Sequence, residues 1–247
     1  MIIFINIDFS FWQKFPCLTN MDFSYNQCIT EIPDVSELQN LREMRLDHCR
    51  NLIAVHESVG VLKRLAHLNL SECRKLQNFM SRMFLPSLEI FNLNFCESLG
   101  HFPEITKEMT KPLKIYMTNT GIQELPESVS KLTELVSLDI SNNRKLKYLP
   151  SSLFMLPKLE ELIASENNFV SIPSCIKECG DRASLDLNGC KKLNKVPEPT
   201  SLRILDVHDC LHLEEISELS STVQKVNARS CFKLTEETSD MLWCQVS

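Results

Sequence analysis

LAHLNLSECRKL, running from Leu65 to Leu76, carries apolar residues at its first, fourth, sixth and twelfth places and a cysteine at its ninth. LREMRLDHCRNL from Leu41, LEIFNLNFCESL from Leu88 and LRILDVHDCLHL from Leu202 repeat that arrangement. Extending it along the chain gives unit starts near 18, 41, 65, 88, 112, 135, 159, 182, 202 and 223, so the period is 23 or 24 residues until two final steps of 20 and 21. A fixed period in the twenties means that each unit cannot bury its own apolar face and must stack on its neighbours.

Slots not used to choose every start test the register. The fourth place holds Met21, Met44, Leu68, Phe91, Ile115, Leu138, Leu162, Leu185, Leu205 and Val226. The sixth holds Phe23, Leu46, Leu70, Leu93, Met117, Ile140, Ala164, Leu187, Val207 and Ala228. All twenty are apolar in a chain that is 43% hydrophobic, a result with a chance on the order of one in ten million before the choice of register. Each LxL reads as a short strand of period two whose apolar residues face inward. The expected fold is α/β: a leucine-rich-repeat solenoid of about ten repeats, a curved horseshoe with a parallel β-sheet on its concave face. Proline follows an apolar residue at Ile32-Pro33, Phe102-Pro103, Leu125-Pro126, Leu149-Pro150, Ile172-Pro173 and Val196-Pro197. Proline cannot donate to a ladder, so the convex face is expected to be irregular or short-helical rather than a second sheet. The domain reading is an N-terminal extension or edge strand at 1–17, the repeats at 18–234, and a tail or short helix at 235–247.

The chain has 247 residues, 23% of them charged, a net charge of −6, and no long polar or single-signed run, an ordinary composition for a globular protein. Lys and Arg look scattered along the sequence, which argues against nucleic acid as a partner. MIIFINIDFSFW at the N-terminus is apolar, but no cation precedes the run and Asp8 interrupts it, so a strand is favoured over a signal peptide or a membrane span. Eleven cysteines are an odd number for a closed disulfide framework. Six of them, Cys49, Cys73, Cys96, Cys190, Cys210 and Cys231, occupy the ninth place of their units, where Asn26, Thr120, Asn143 and Asn167 stand in the others. They read as a buried thiol ladder, and free buried thiols point to a reducing, cytoplasmic or nucleocytoplasmic home.

Catalytic and metal readings find little support. His208, Asp209, Cys210 and His212 lack a paired second half of metal ligands. His48 stands beside Cys49, a repeat slot, and Cys179 fills a leucine slot four residues after Cys175. Asp22, Asp47, Asp139, Asp186 and Asp206 recur at outward strand positions, the pattern of a solvated face. No GxxxxGK[ST] phosphate cradle is present among only five glycines. The chain is therefore read as a non-enzyme with no cofactor or metal of its own. The single sequon, Asn69-Leu70-Ser71, falls within a strand.

Outward strand positions vary without unfolding a solenoid, so a protein ligand is expected on the concave face. Most residues there are small and polar; the exceptions are Arg45, Asp47, His67, Phe95, Tyr116, Ile163, His208 and Arg229. Arg45, Phe95 and Tyr116 are the first choices, because arginine and aromatic side chains supply much interface affinity.

LPESVSKLTELVSLDIS, from Leu125 to Ser141, and the Cys-bearing LNLSEC, FNLNFC and LDLNGC together resemble the repeat region of plant TIR-NBS-LRR disease resistance proteins. KFPCLTNMDFSYNQCITEIPDVSELQNLREMRLD, ending at Asp47, is similar to that family's early repeats, and MTNTGIQELPESV to its TxIxELPxSI unit. The resemblance covers about residues 15–234. It implies a module of an intracellular immune receptor that senses a pathogen effector or a modified host protein, and that restrains the receptor's NB-ARC domain until it does. It places ADP or ATP binding in NB-ARC and NAD-cleaving activity in TIR, neither of which has its motif in this sequence. The alternative is a stand-alone repeat adapter or scaffold in a ubiquitin-ligase or receptor-like complex.

Overall fold

The computed structural model describes residues 14–178, 183–198, 202–217, 219, 221 and 223–239. The expected edge strand before Lys14, Cys179, the unit start at Arg182 and the tail beyond Ser239 lie outside them. A ten-stranded parallel sheet runs through the chain in sequence order, its strands being Asn20–Asp22, Glu43–Arg45, His67–Asn69, Ile90–Asn92, Leu113–Tyr116, Leu135–Asp139, Glu161–Ile163, Ser184–Asp186, Ile204–Asp206 and Lys225–Asn227. Met21, Met44, Leu68, Phe91, Ile115, Leu138, Leu162, Leu185, Leu205 and Val226 are register partners from one strand to the next. Sequence periodicity has become spatial adjacency, because parallel strands lie about 4.8 Å apart.

One irregularity interrupts the stack. Leu113, not Pro112, pairs with Leu135, and the register shifts between Leu135 and Ser137. Pro112 is exposed, and the leucine behind it takes the inward slot.

Three residues beyond the end of each strand of this sheet stands a left-handed residue. Tyr25, His48, Glu72, Phe95, Asn119, Asn142, Glu166, Gly189, Asp209 and Ser230, the eighth residue of each unit, all have φ between 53° and 67°. That region costs an L-residue about 1 kcal/mol. The bend is maintained by the next unit: the N–H of Tyr25 donates to the Asp47 carbonyl at 2.8 Å, that of Phe95 to Thr118 at 2.8 Å, and that of Glu166 to Asn188 at 2.7 Å. Units thus exchange backbone hydrogen bonds through the turn as well as the strand.

The ninth residue then points inward. Cys49, Cys73, Cys96, Cys190, Cys210 and Cys231 each donate Sγ–H to the sixth-place carbonyl of the preceding unit, at 3.0 to 3.3 Å. Asn143 and Asn167 do the same with Nδ2, reaching Met117 and Ile140 at 2.8 and 2.9 Å. Cysteine and asparagine are interchangeable there because both offer a short donor to one buried carbonyl.

The opposite side is mostly turn, with single 3₁₀ or α turns at Glu57–Val61, Glu127–Lys131, Ser151–Phe154 and Ser174–Glu178. Pro126, Pro150 and Pro173 stand immediately before three of them, where a missing N–H costs nothing. The expectation that no sheet forms there needs correction: Glu31–Ile32 pairs with Ala54–Val55, Arg82–Met83 with Glu104–Ile105, and Lys195–Val196 with Glu215–Ile216. Pro33 and Pro197 follow these two-residue strands and Pro103 precedes one, so proline bounds them without interrupting them. Residues 236–239 form one helical turn.

Between the two faces lies a continuous apolar core that includes Phe79, Phe91 and Phe102, with ring centroids 6.0 and 6.2 Å apart. Each fully buried leucine in it contributes roughly 1.5–3 kcal/mol.

Candidate functional site on the concave face

The side chains between the buried rows form the concave surface. Asp22, Arg45, Asn69, Asn92, Tyr116, Asp139, Ile163, Asp186, Asp206 and Asn227 are register partners in that order. Three sequence candidates, Arg45, Tyr116 and Ile163, therefore share one row, with Tyr116 about 14 Å from Arg45 and about 10 Å from Ile163 along the sheet. His67 stands in the parallel row between Glu43 and Ile90, its Nε2 3.8 Å from Glu89 Oε2. A surface of this length and openness matches a macromolecular partner, whereas a small ligand requires an enclosing cleft.

The remaining candidates lie beyond the strand ends. Asp47 was read as a solvated position, and the structure corrects this: the residue is only 7% exposed. Its carboxylate accepts hydrogen bonds from Ser24 Oγ at 2.8 Å and Asn69 Nδ2 at 3.2 Å, with Arg45 Nε 3.8 Å away. Asp47 ties three units together and positions Arg45, which also lies 3.8 Å from Asp22. Phe95, also expected on the sheet face, is the left-handed turn residue of its unit, so its ring sits at the rim, partly exposed. At the equivalent place Tyr25 stacks on His48, with centroids 4.4 Å apart.

His208 and Arg229 mark the other end. His208 Nδ1 lies 2.7 Å from Asp206 Oδ1, and Asn227 Nδ2 donates to Asp206 Oδ2 at 2.9 Å. Burial pushes the Asp206 carboxyl up, but the His208 N–H, Asn227 and the His208 ring outweigh it and hold the group below its ordinary value. Its register neighbour Asp186 moves the other way: burial, aided by the Asp206 charge, raises it despite one hydrogen bond from the Asn188 N–H. The row of aspartates is thus not uniformly solvated. Arg229 is exposed, and its N–H reaches Asn227 Oδ1 at 3.5 Å. The Asp186, Asp206, His208 and Asn227 group was not assembled from the sequence; the recurrence of aspartate in the fifth place was the available signal.

The thiols are poor nucleophiles. Burial pushes Cys49 up to about 11 and Cys96 and Cys190 to about 12, and raises Cys73, Cys210 and Cys231. Among the described residues no group of three or more His, Cys, Asp or Glu could hold a metal ion, and no helix is long and apolar enough to cross a membrane.

The family model "Disease resistance protein RPS4B-like, leucine-rich repeats" matches residues 84–159 and again 156–237. The chain is 32% identical to the TMV resistance protein N of Nicotiana glutinosa over 84% of its own length and 16% of that protein's. It is 32% identical to the disease resistance protein RML1A of Arabidopsis thaliana over 90% of its own length and 22% of that protein's, so it spans about a fifth of such relatives. Among solved structures, the leucine-rich repeat domain of the type III effector XCV3220 (XopL) is 22% identical with a TM-score of 0.44, covering 84% of this chain and 67% of that one. With two-thirds of the repeats matched by one family model and relatives of the same kind aligned over most of the chain, this chain belongs to the leucine-rich repeats of the RPS4B-like disease resistance proteins.

Proposed function

We propose that the chain is the protein-recognition module of an intracellular plant immune receptor, binding a pathogen effector or an effector-modified host protein on its concave face. A second contact, with the receptor's own NB-ARC domain, restrains that domain's nucleotide switch until the ligand arrives. The chain itself performs no catalysis and binds no ADP, ATP or metal. The observation that carries this reading is the single row holding Arg45, Tyr116 and Ile163 among small polar neighbours, backed by strictly apolar inward rows. Such a face changes its chemistry while the core stays constant, as recognition of varied proteins requires. The ladder of free cysteines supports a reducing compartment.

The test is a photo-crosslinking residue placed at Tyr116 on the concave face or at the exposed Met155 on the convex side, in chains expressed in plant tissue challenged with a pathogen. Protein adducts formed from Tyr116 and absent from Met155 are expected. Adducts from Met155 alone would retire the concave-face reading.

A further inference from the structure

The concave face uses its charges differently along its length. On the first four strands cations and carboxylates meet: Arg45 lies 3.8 Å from both Asp22 and Asp47, and His67 3.8 Å from Glu89. Between Lys114 and Arg203, by contrast, the face carries Asp139, Glu160, Glu161 and Asp186 and, among the described residues, no cation. None of these four carboxylates lies within 4.0 Å of a described Lys, Arg or His nitrogen. Lys114 and Arg203 close the strip at its two ends, and Asp206 at the far end is already paired with His208. The middle of the face is therefore anionic and unneutralised.

Within the strip one register row alternates in character. Tyr116 pairs with Asp139, Asp139 with Ile163, and Ile163 with Asp186. Aromatic, acidic, aliphatic and acidic side chains, all partly exposed, thus stand about 4.8 Å apart on neighbouring strands. Asp139 Oδ1 accepts from the Ser141 N–H and Oγ at 2.9 and 2.7 Å, and Asp186 Oδ1 from the Asn188 N–H at 2.9 Å. These bonds orient each carboxylate and leave its Oδ2 without a hydrogen bond among the described residues. Burial raises the Asp186 carboxyl, and the charges of Asp206 and Asp139 add to it, so a cation brought to this point stabilises the ionised group. The two carboxylates are two strand steps apart, about 10 Å, too far to share one metal ion.

We propose that the protein recognised on this face presents a cationic α-helix laid along the row, with two arginines meeting Asp139 and Asp186 and an apolar side chain between them covering Ile163. The inference rests on the concave-face reading above. An α-helix advances about 5.4 Å per turn, close to the strand spacing, so positions i, i+4 and i+7 of one helical face arrive over Asp139, Ile163 and Asp186 in turn. A residue one turn earlier reaches the Tyr116 ring, which takes an apolar group or a guanidinium. Same-side residues of an extended chain are about 6.8 Å apart and fall out of step with the strands. Glu160 and Glu161 strengthen the attraction for the helix and repel an acidic competitor.

The experiment is fluorescence anisotropy of the whole chain with a labelled alanine-based helical peptide carrying arginine at i and i+7 and leucine at i+4, at low and moderate salt. Comparison peptides carry glutamate in place of arginine, or a central proline that breaks the helix. The arginine peptide is expected to bind. Asp139→Asn with Asp186→Asn, which keeps each Oδ1 acceptor, weakens it at least tenfold, whereas Glu127→Gln on the convex side changes it by less than about twofold. Asp139→Lys with Asp186→Lys instead binds the glutamate peptide, a gain that an unfolded variant cannot show. Absence of binding at low salt, equal binding of the glutamate or proline peptide by the parent chain, undiminished binding by the asparagine pair, or no gain in the lysine pair would each overturn the proposal. The asparagine pair placed in the Tyr116 cross-linking chain separates the two readings. Adducts that persist unchanged remove the charge pairing and leave the concave face standing, whereas adducts from Met155 alone remove the concave face itself.

Discussion

The Oδ1 of Asn143 receives both the backbone N–H and the hydroxyl of Thr120, at 2.7 and 2.6 Å. Its Nδ2 meanwhile donates to Met117 and Ile140, so one side chain, 1% exposed, joins two successive turns. Asn143→Ala strands these groups in the core and is expected to cost about 3 kcal/mol or more. Asn143→Cys, which restores the thiol-to-carbonyl contact used in six other units, should return part of that loss. Urea denaturation of the three proteins measures the series, and an alanine variant as stable as the parent would refute the role.

Leu138 sits at the middle of the sheet, 2% exposed, between Ile115 and Leu162. Leu138→Ala opens a cavity that neighbouring units cannot close without losing register, and the expected cost is about 2–5 kcal/mol. The midpoint of chemical unfolding checks it.

The inner thiols should resist alkylation. Cys17 and Cys28 are exposed, whereas Cys73, Cys96, Cys190 and Cys210 are buried, and burial raises the pKa of each of these four. Iodoacetamide at neutral pH, followed by peptide mapping, is expected to modify the first two and to reach the other four only in denaturant.

Asp186 and Asp206, adjacent in register, should respond to pH with opposite signs. The folded pKa of Asp186 is raised, so its ionised form opposes folding above the carboxylate range and this penalty fades as pH falls. Asp186→Asn should therefore raise the melting temperature at neutral pH and make no difference in strong acid. The folded pKa of Asp206 is lowered, so its contribution is present above the unfolded value and lost as pH falls through the folded one. Asp206→Asn should lower the melting temperature at neutral pH, again with no effect in strong acid. Thermal melts across that range decide both.

The spacing of Leu65, Leu68, Leu70 and Cys73, repeated along the chain, determined the solenoid, the inward rows and the thiol ladder, because burying an apolar face leaves one workable stacking register. It also determined that Arg45, Tyr116 and Ile163 share a surface row, since alternation along a strand fixes the face of each side chain. Tertiary structure alone decided the rest. Left-handed backbone at Tyr25, Phe95 and Glu166 has no compositional mark, because the bend is held by carbonyls of the next unit rather than by glycine. Asp47 looks like Asp22 in sequence, yet Ser24 and Asn69 from neighbouring units enclose it. Arg74 reaches Glu72 of its own unit and Glu97 of the next, and the second contact depends on which charges stacking brings within 4 Å, a distance between units that no single unit encodes.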